Sequence, residues 1–574
     1  MFWRVVDSLT NRFQSLPLVH PSCILIIMSL SSLIAYSSST TPTTVLSVHR
    51  AFTTTLITTT HQPFVYPYRA LGPHLFVAYL LLPPATKDKG RLTSSPLYAS
   101  LVYNLRYPVF LVASALCIQA IVECRSPLVT VGYGIGIINA WSVLWMACWM
   151  LFGDGRGARR IERRRGQGNG DVGGLVERNE SEGIAAKTDK ETGQGLRRRG
   201  RDTEGDANGN PRYTGEKEKS HELGWQGLPP RFFHRVDWVA DLVTNFRGIR
   251  WTHQISGMPY PDSSSLSAFA EPTARQLSSP TTARPRSSRP DTYPTRSAVV
   301  RSSLIAFAVN LIVLDILKFL MLRDPYFWGV SQSGPSPYYF PRTSRLVLSV
   351  AGVYCSLLSI FLLSPIVYCG LAGEKYIDQH AWPWLYPPYY GSPVEIWKKG
   401  LAGIWGGWWH QLFRLGFEQA GDFVGRIVGW EKRTIRGGIL RVVVAFICSG
   451  GIHACGSYTA LGDTNPRNAF MFFALQPIGL ITQRAVAGWM KKTGVRDKIP
   501  ASVRGACNLA LAVAWCWLTG PLIADDFAMG GIWLYEPMPF SLMRGLAGDG
   551  WWKWGGSWMR WHSANRWWKS GIAL

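Results

Sequence analysis

The sequence predicts an all-α polytopic transmembrane protein, with about eight spans, interfacial helices and two disordered inserts. Apolar runs of about twenty residues, long enough to cross a bilayer as helices, recur along the 574-residue chain. They alternate with two long polar stretches, and hydrophobic residues still make up 47% of the chain. This distribution is typical of a multi-pass membrane protein with soluble inserts.

The formal net charge of +24 raises the question of nucleic-acid binding. The basic residues lie between apolar runs and in a tryptophan-rich tail, and no zinc-finger spacing or nucleic-acid motif is recognisable. We therefore expect positive-inside loops and contacts with the lipid bilayer, and no nucleic-acid partner. The ten cysteines lie mostly inside apolar runs without a Cys-x-x-Cys pair, which predicts buried thiols rather than disulfides or a metal site.

Residues 1–152 are predicted to form N-terminal transmembrane segments. Residues 18–36 predict a first span or signal anchor, while residues 71–84 are too short to decide between a full crossing and a tilted or re-entrant segment. Residues 107–123 and 129–152 predict two full spans. The second carries a tryptophan stripe on one helical face that favours packing or interfacial anchoring over a cofactor site. Its members are Trp141, Trp145 and Trp149.

Residues 153–235 predict a disordered, charged insert, because Arg, Glu, Gly, Asp and Asn replace nearly all large apolar residues there. Arginines at residues 159–165 directly follow a span and assign this insert to the cytosol by the positive-inside rule. A glycosylation sequon at Asn179 would then face the wrong compartment. Residues 236–255 predict an interfacial segment with basic and aromatic side chains. Residues 256–297, rich in Ser, Pro and Arg, predict a second disordered insert.

Residues 298–574 predict the transmembrane core and a Trp-rich tail at headgroup level. Asp315 and Lys318, three apart on one span, are placed to pair, or Lys318 is placed to reach the membrane surface. Between residues 373 and 436, Trp, Tyr, Pro and Gly dominate, which predicts interfacial helices. The predicted spans of this core are residues 298–322, 346–371, 439–461, 468–489 and 503–524.

Two histidines of this core are candidates for proton transfer near neutral pH. His453 lies near the middle of an apolar run, where an imidazole costs free energy unless it is hydrogen-bonded or faces a cavity. Two glycines before it remove side-chain bulk, which favours a chamber, with a packing histidine as the alternative. His410 lies among tryptophans, where an interfacial histidine without a chemical role is the alternative. His410, Arg414 and Glu418 are spaced to share one helical face, with Arg414 and Glu418 able to pair.

The segments around these histidines resemble known motifs. Residues 405–414, Trp-Gly-Gly-Trp-Trp-His-Gln-Leu-Phe-Arg, resemble a histidine motif of the wax synthase-like branch of the membrane-bound O-acyltransferase superfamily, in its fungal type. Residues 446–453, Phe-Ile-Cys-Ser-Gly-Gly-Ile-His, resemble that branch's Ser-Gly-x-x-His motif. Residues 246–251, Phe-Arg-Gly-Ile-Arg-Trp, are similar to a stretch upstream of both. The order of the motifs also matches, and the resemblance covers residues 232–524.

Two departures from the family pattern concern the first motif. Ile404 stands where the family usually has phenylalanine, and Gly407-Trp408 stands where it usually has a basic pair. The loss of that pair puts in doubt a carried-over role in binding the phosphates of coenzyme A. The nearby candidates to replace it are Arg414, Lys398 and Lys399.

The resemblance implies an enzyme that transfers an acyl group from acyl-CoA to a hydroxyl of a lipophilic small molecule, in the endoplasmic reticulum membrane. His453 would act as the general base, and His410 would orient a substrate or donate to the developing oxyanion. The residues implied in substrate or CoA binding are Trp405, Trp409, Arg414 and Ser449. Acyl-CoA would be a co-substrate, with no further cofactor and no metal; the oligomeric state stays open.

The acceptor also stays open. Fungal relatives with this layout favour acetylation of a terpenoid secondary metabolite, and a long-chain wax ester synthase is the alternative. A non-enzymatic membrane transporter, with His453 and Asp315 lining its path, is the alternative of another class. Transporters often show internal repeats, and neither histidine motif recurs in the chain.

Overall fold

The computed structural model describes residues 41–84, 87–88, 91–92, 96–163, 223–259, 293, 295–329, 339–460, 462–554 and 559–574. The predicted span at residues 18–36, the sequon at Asn179 and most of both predicted inserts lie outside these residues. Helices dominate the described chain and the strands are short, which confirms the predicted all-α class.

The α-helices follow one another along the chain with several short connections. In order they are α1 (Pro42–Thr59), α2 (Leu71–Leu80), α3 (Pro96–Glu123), α4 (Val129–Ala147), α5 (Phe232–Thr244), α6 (Arg296–Met321), α7 (Arg342–Pro365), α8 (Gly373–Ile377), α9 (Val394–Lys399), α10 (Leu401–Gly403), α11 (Arg414–Val428), α12 (Ile435–Thr459), α13 (Pro466–Lys492), α14 (Val495–Lys498), α15 (Ala501–Thr519), α16 (Pro521–Met529) and α17 (Leu542–Leu546).

The strands form small sheets outside the helices. They are β1 (Gln62–Pro63), β2 (Val65–Tyr66), β3 (Lys87–Asp88), β4 (Arg91–Leu92), β5 (Cys124–Arg125), β6 (Arg160–Arg163), β7 (Leu223–Gln226), β8 (Arg560–His562) and β9 (Gly571–Ala573). β1 pairs in parallel with β5, and β9 lies between β2 and β8 in an antiparallel sheet. β3 pairs with β4 and β6 pairs with β7, both antiparallel.

Seven helical segments of the described chain are long and apolar enough to cross a membrane. They comprise α3, α4 extended by a π-helical turn to Phe152, α6, the segment from α7 to Ala381, α12, α13 and α15. Each coincides with a span predicted from the sequence. α2, at residues 71–80, has only 10 residues.

Helix α12 packs against both α4 and α13. α12 begins at Thr434, whose side chain accepts a hydrogen bond from the amide of Gly437, and α13 begins at Asn465, which caps its helix in the same way. α4 approaches α12 so closely that a Cβ atom at Gly136 would lie 2.0 Å from the carbonyl oxygen of Cys455. Glycine at this position therefore permits the contact that brings the site together.

The tryptophan stripe of α4 is buried, as one of the two sequence interpretations predicts. Trp141 and Trp145 stack with centroids 5.4 Å apart, and Trp149 packs edge-on against Trp145 at 5.2 Å. Phe246 and Phe413 cover the stripe. These rings join α4 to the segment after α5 and to the loop before α11.

The edges of the predicted disordered insert are folded, which corrects its boundaries at residues 153 and 235. β6 and β7 pair across the insert, and Ile161 on β6 is fully buried. Arg160 lies 2.5 Å from Asp237 and 3.5 Å from Asp241, both on α5. Because carboxylates compensate the buried guanidinium, this charged sequence can pack.

The segment at residues 236–255 is also more buried than its predicted interfacial position suggests. Arg250 is 2% exposed and Trp251 is completely buried. Both side chains donate to Oδ2 of Asp241, at 3.1 Å from Arg250 Nε and 3.1 Å from Trp251 Nε1. The basic and aromatic groups of this motif therefore bind within the protein, since a buried carboxylate satisfies them.

Asp315 and Lys318 do not pair with each other, contrary to the first expectation. Asp315 accepts from Ser541 Oγ at 2.5 Å and from the amide of Met543 at 2.9 Å. Lys318 donates to the carbonyl oxygen of Trp533 and lies 3.9 Å from Glu536. Both residues of α6 are buried and bind the chain that follows α16, so they hold that chain against the span.

The tryptophan-rich tail folds back towards the start of the described chain. β9 pairs with β2, and the amide of Leu574 donates to the carbonyl oxygen of Phe64 at 3.1 Å. Trp561 and Trp567 remain 70% and 83% exposed. The headgroup-level position of these tryptophans stays a prediction.

Candidate active site

His453 lies on α12 between α4 and α13. Its ring stacks on Phe473 of α13, with 4.4 Å between the ring centroids. Its Nδ1 atom lies 3.0 Å from the hydroxyl oxygen of Tyr133 on α4. Neighbouring helices therefore fix the imidazole on two sides, while Nε2 takes no part in the contact with Tyr133.

His410 lies in a turn, not on a helix. The π-helical segment Ile404–Trp408 ends at Trp409, whose extended backbone (φ −64°, ψ 148°) stops the helical run, and α11 begins only at Arg414. The expectation that His410 shares a helical face with Arg414 and Glu418 is therefore wrong. The error arises because the sequence suggested one continuous helix through Trp409.

The imidazole of His410 is enclosed by four aromatic rings, whose centroids lie 5.3 to 5.9 Å from its own. They belong to Phe361, Tyr390, Trp409 and Phe413. Nδ1 of His410 is buried and has no hydrogen-bond partner among the described residues. Burial lowers the pKa of His410 to about 4, so the ring is neutral at physiological pH. A neutral imidazole with an unpaired nitrogen can bind an oxygen of a substrate.

The structure brings the two histidines together. Aromatic rings connect them: Trp409 contacts Trp405 at 6.3 Å, and Trp405 contacts Phe473, the ring stacked on His453, also at 6.3 Å. The shared aromatic enclosure is the arrangement that a reaction chamber requires, and the catalytic role of both residues stays a prediction.

Trp405 is fixed by a buried glutamine of α13. Oε1 of Gln476 accepts from Nε1 of Trp405 at 3.2 Å and from Nε1 of Trp515 on α15 at 3.1 Å. Its Nε2 donates to the carbonyl oxygen of Phe472 at 2.7 Å. We call Gln476, Trp405 and Trp515 the Gln476 clamp. It makes Trp405 a rigid wall of the enclosure.

Trp409 and the turn after it are held by Gln411. The side-chain amide of Gln411 donates to the carbonyl oxygens of Trp405 and Trp409, at 2.9 and 2.7 Å. The ring of Trp409 also packs edge-on against Tyr390 at 5.6 Å. These contacts set the position of His410, which lies between Trp409 and Gln411.

The basic residues suggested to bind the phosphates of coenzyme A differ in their partners and in their exposure to solvent. Arg414 binds Glu418 at 2.8 Å, as the sequence predicts for this pair, and also reaches Ser256 at 3.2 Å. Lys398 and Lys399 on α9 are about 60% exposed and lie 3.5 and 2.5 Å from Glu395. The two lysines are therefore accessible to a ligand, whereas Arg414 has structural partners.

Ser449 lies one turn before His453 on α12 and is half-buried. Beside it, Gly450 packs against α13, where a Cβ atom would lie 2.9 Å from the carbonyl oxygen of Phe470. A Cβ atom at Gly451 would meet no atom within 4 Å. The two glycines therefore differ, since the first permits helix packing and the second borders open space.

The upstream motif at residues 246–251 joins the site to the rest of the protein. Arg247 donates to the carbonyl oxygens of Pro387 and Pro388, both at 3.2 Å, and its guanidinium lies 4.0 Å from the ring centroid of Tyr389. The adjacent Tyr390 contacts His410. This motif thus supports the wall of the enclosure.

Sequence reasoning missed Tyr133, Gln476 and Phe473. All three lie in predicted spans, where the sequence does not distinguish them from their neighbours. Tyr133 and His453 are also 320 residues apart in the sequence. A polar side chain within an apolar run, as for Gln476, was a signal that could have been used.

The family comparison matches residues 386–475 to the model described as the membrane bound O-acyl transferase family. The matched segment contains His410, Trp405, Ser449 and His453, whereas Tyr133 lies outside it. No solved structure matches the chain significantly.

Curated fungal proteins are similar to this chain at low identity. The acetyltransferase eriL of Hericium erinaceus is 24% identical over 281 residues, which cover 48% of this chain and 62% of that protein. The acetyltransferase ataH of Aspergillus terreus is 27% identical over 196 residues, 34% of this chain and 54% of its own length. The O-mevalon transferase macI of Penicillium terrestre is 22% identical over 302 residues, 50% and 60% of the two chains. The chain thus spans less than two thirds of these relatives.

The matched segment and the fungal relatives both indicate an acyltransferase, and the seven apolar helices indicate that it lies in a membrane. This chain is a multi-pass membrane protein whose residues 386–475 are similar to the membrane bound O-acyl transferase family.

Proposed function

We propose that this protein transfers an acyl group from acyl-CoA to the hydroxyl of a lipophilic small molecule within the membrane. The observation that carries the proposal is the juxtaposition of His453 and His410 in one aromatic enclosure, inside the segment that matches the family. The apolar lining of the enclosure suits a lipophilic acceptor. Its few polar groups also act more strongly on the reacting atoms, because electrostatic interactions are stronger where water is excluded.

In the proposed reaction, Nε2 of His453 takes the proton of the acceptor hydroxyl as its oxygen attacks the thioester carbonyl. The new C–O bond forms an oxyanion intermediate, and the free nitrogen of His410 donates an N–H to that oxyanion. When the intermediate collapses, the C–S bond breaks and the leaving thiolate takes the proton from His453. General-base catalysis of this kind contributes about 10²–10⁴-fold to the rate.

The proposed donor is acetyl-CoA. Two of the relatives quoted above carry the name acetyltransferase. In this chain, Phe473 lies directly on His453 and the Gln476 clamp immobilises Trp405 beside it. Behind Trp405, a packed cluster that includes the buried Leu401 and Ala512 fills the space. A short acyl group would need less room beside these walls, whereas a long chain would have to displace packed residues.

The proposed acceptor is a terpenoid-like secondary metabolite, and the proposed compartment is the endoplasmic reticulum. The acceptor proposal rests on the motif resemblance to fungal members of the family and on the aromatic lining of the enclosure. A long-chain alcohol, giving a wax ester, is the competing acceptor, and the experiment below separates the two.

The test is acyl transfer by microsomes that contain the protein. Labelled acetyl-CoA or palmitoyl-CoA is offered with terpenoid, sterol and fatty alcohols, and the wild type is compared with His453→Ala. A matched control is His234→Ala, since His234 is exposed on α5. We expect acetylated product from the wild type and from the control variant, and a loss of at least about 100-fold in His453→Ala.

The other outcomes are equally informative. Product from palmitoyl-CoA and fatty alcohols alone would replace the acetyltransferase proposal by wax ester synthesis. Equal activity in His453→Ala would remove His453 from the mechanism. No product from any pair, with folded protein present in the membrane, would contradict acyl transfer and favour a transport function.

A further inference from the structure

Tyr133 makes two contacts with one residue of another helix. Its hydroxyl oxygen lies 3.0 Å from Nδ1 of His453 and 3.4 Å from the backbone carbonyl oxygen of the same residue. The tyrosine itself is buried, at 9% exposed, and Phe527 packs edge-on against its ring at 5.2 Å. The hydroxyl is therefore held in place next to both groups of His453.

Hydrogen bonds from one hydroxyl to both groups would select one tautomer of His453. A tyrosine hydroxyl has one proton to donate and can also accept a hydrogen bond. The carbonyl oxygen can only accept, so a hydroxyl that serves both groups donates to the carbonyl and accepts from Nδ1–H. A protonated Nδ1 leaves a lone pair on Nε2, and this lone pair is what a general base needs. The opposite tautomer, with Tyr133 donating to Nδ1, would leave the carbonyl contact without a proton.

We propose that Tyr133 is a positioning residue that holds His453 in the tautomer with a basic Nε2 atom. The proposal rests on the function proposed above, in which Nε2 takes the proton of the acceptor hydroxyl. Tyr133 itself moves no proton to or from the substrate. Its hydroxyl fixes the orientation and the protonation site of the imidazole, as second partners of catalytic histidines do.

Packing alone does not require the hydroxyl. The close approach of α4 to α12 rests on Gly136 and Gly456, where added Cβ atoms would meet Cys455 and the ring of Tyr133. Phenylalanine would fill the same volume and keep the contact with Phe527. Tyr133→Phe therefore removes the hydroxyl that positions His453 and preserves the packing.

The first experiment measures steady-state kinetics of Tyr133→Phe with acetyl-CoA and the acceptor that the wild type uses. We expect kcat to fall by about 10–100-fold, with KM for both substrates within about twofold, since the substitution affects protonation rather than binding. The matched control is Tyr326→Phe, which removes another buried tyrosine hydroxyl, one that donates to Asp525 at 2.7 Å. Its kcat should stay within about twofold of the wild type.

A second variant reaches the same contact from the other helix. A Cβ atom at Gly456 would lie 2.9 Å from two atoms of the Tyr133 ring, so Gly456→Ala should push the hydroxyl away from His453 and lower kcat. If both substitutions act through this hydrogen bond, the double variant Tyr133→Phe/Gly456→Ala should be no slower than the slower single variant. Independent structural damage would instead multiply the two losses.

These results decide the proposal. Wild-type kcat in folded Tyr133→Phe overturns it, and so does a loss confined to KM or a double variant that shows the full product of both losses. If Tyr133→Phe is not recovered folded, the kcat-to-KM comparison is made on Gly456→Ala, where an unchanged kcat overturns the proposal. Absence of acyl transfer in the wild type, by contrast, counts against the proposed function and not against this contact.

Discussion

The unpaired nitrogen of His410 predicts how this residue responds to substitution. Its Nδ1 atom is buried without a partner, which costs free energy until a substrate oxygen binds it. We expect His410→Ala to lower kcat by about 10²–10³-fold, the usual effect of losing an oxyanion donor. Because the pKa of His410 is about 4, its titration should not contribute to the activity profile between about pH 6 and 9. Full activity of His410→Ala would contradict the assigned role.

Asp526 on α16 predicts a pH-dependent stability. Its Oδ1 atom accepts from Ser457 Oγ at 2.7 Å and from the amide of Asn465 at 2.6 Å, while Oδ2 is buried without a partner among the described residues. Burial raises the pKa of Asp526 to about 6 from 3.8. A carboxyl group with a raised pKa favours the folded state at low pH, and that contribution is lost as the pH rises to the folded-state value.

Asp526→Asn keeps the accepting oxygen and removes the charge. It should therefore raise Tm in detergent at about pH 7.5 and raise it less at about pH 4.5. Asp549→Asn, at an exposed position, is the control and should leave Tm unchanged at both values. An equal shift of Tm for Asp526→Asn at the two pH values would show that ionisation is not the cause.

At the scale of the element, the Gln476 clamp between α13, α15 and the π-helical segment predicts donor selectivity. Trp405→Ala opens space next to Phe473 and the clamp. We expect the ratio of kcat/KM for octanoyl-CoA to that for acetyl-CoA to rise at least about tenfold. Trp517→Ala on the same α15 removes a 44% exposed tryptophan and should leave the ratio unchanged. If Trp405→Ala leaves this ratio unchanged, the acyl group does not bind next to Trp405.

Helix α9 predicts where the charged end of the donor binds. Lys398 and Lys399 are exposed, and α9 packs against the π-helical segment that precedes His410. Replacing both lysines with alanine should raise KM for acetyl-CoA about tenfold with kcat little changed, because phosphate contacts act in binding. Replacing Lys491 and Lys492 at the end of α13 is the charge-matched control. Equal effects of both pairs would indicate a general loss of surface charge.

At the scale of the whole molecule, Asp241 predicts the stability of the folded insert edges. Burial raises its pKa, but the guanidinium groups of Arg250 and Arg160 outweigh this effect and hold the pKa below its ordinary value. Asp241→Ala would leave the buried Arg250 without its carboxylate, while Arg160 keeps Asp237; breaking one buried pair in this way costs about 3–5 kcal/mol. We expect a clear loss of Tm in detergent, whereas the exposed Glu431→Ala should have none. An unchanged Tm would mean that this network contributes little.

The sequence predicted the spans well because their signal is local. Twenty apolar residues in a row identify a crossing wherever the chain goes, and all seven segments were found in this way. The two histidine motifs could also be found, through resemblance. The positions of Tyr133 and Gln476 could not, because their partners come from distant helices. His410 was misplaced on a helix since the pattern around it does not reveal the break at Trp409.

The strand pairings fix which parts of the chain share a face of the membrane. β1 pairs with β5, with Gln62 opposite Cys124, so the chain from α2 to the end of α3 begins and ends at the same place. β9 pairs with β2, which follows β1 directly, and this places Leu574 on that same face. If β1 and the C-terminus lie on the same face, the chain between them crosses the membrane an even number of times. The described chain has seven long helices after β1, which is an odd number.

We infer that the short helix α2, which is not among the seven long helices, makes the remaining crossing. Its last carbonyl oxygens, at Tyr79 and Leu80, accept hydrogen bonds from Arg156, which follows α4 on the far face. A helix of about 15 Å bridges a layer of about 30 Å only where protein covers its polar ends, as Arg156 does here. If the arginine-rich segment lies in the cytosol, as the positive-inside rule predicts, we expect the C-terminus on the opposite face of the membrane. An epitope fused after Leu574 should then resist added protease in sealed microsomes until detergent opens them.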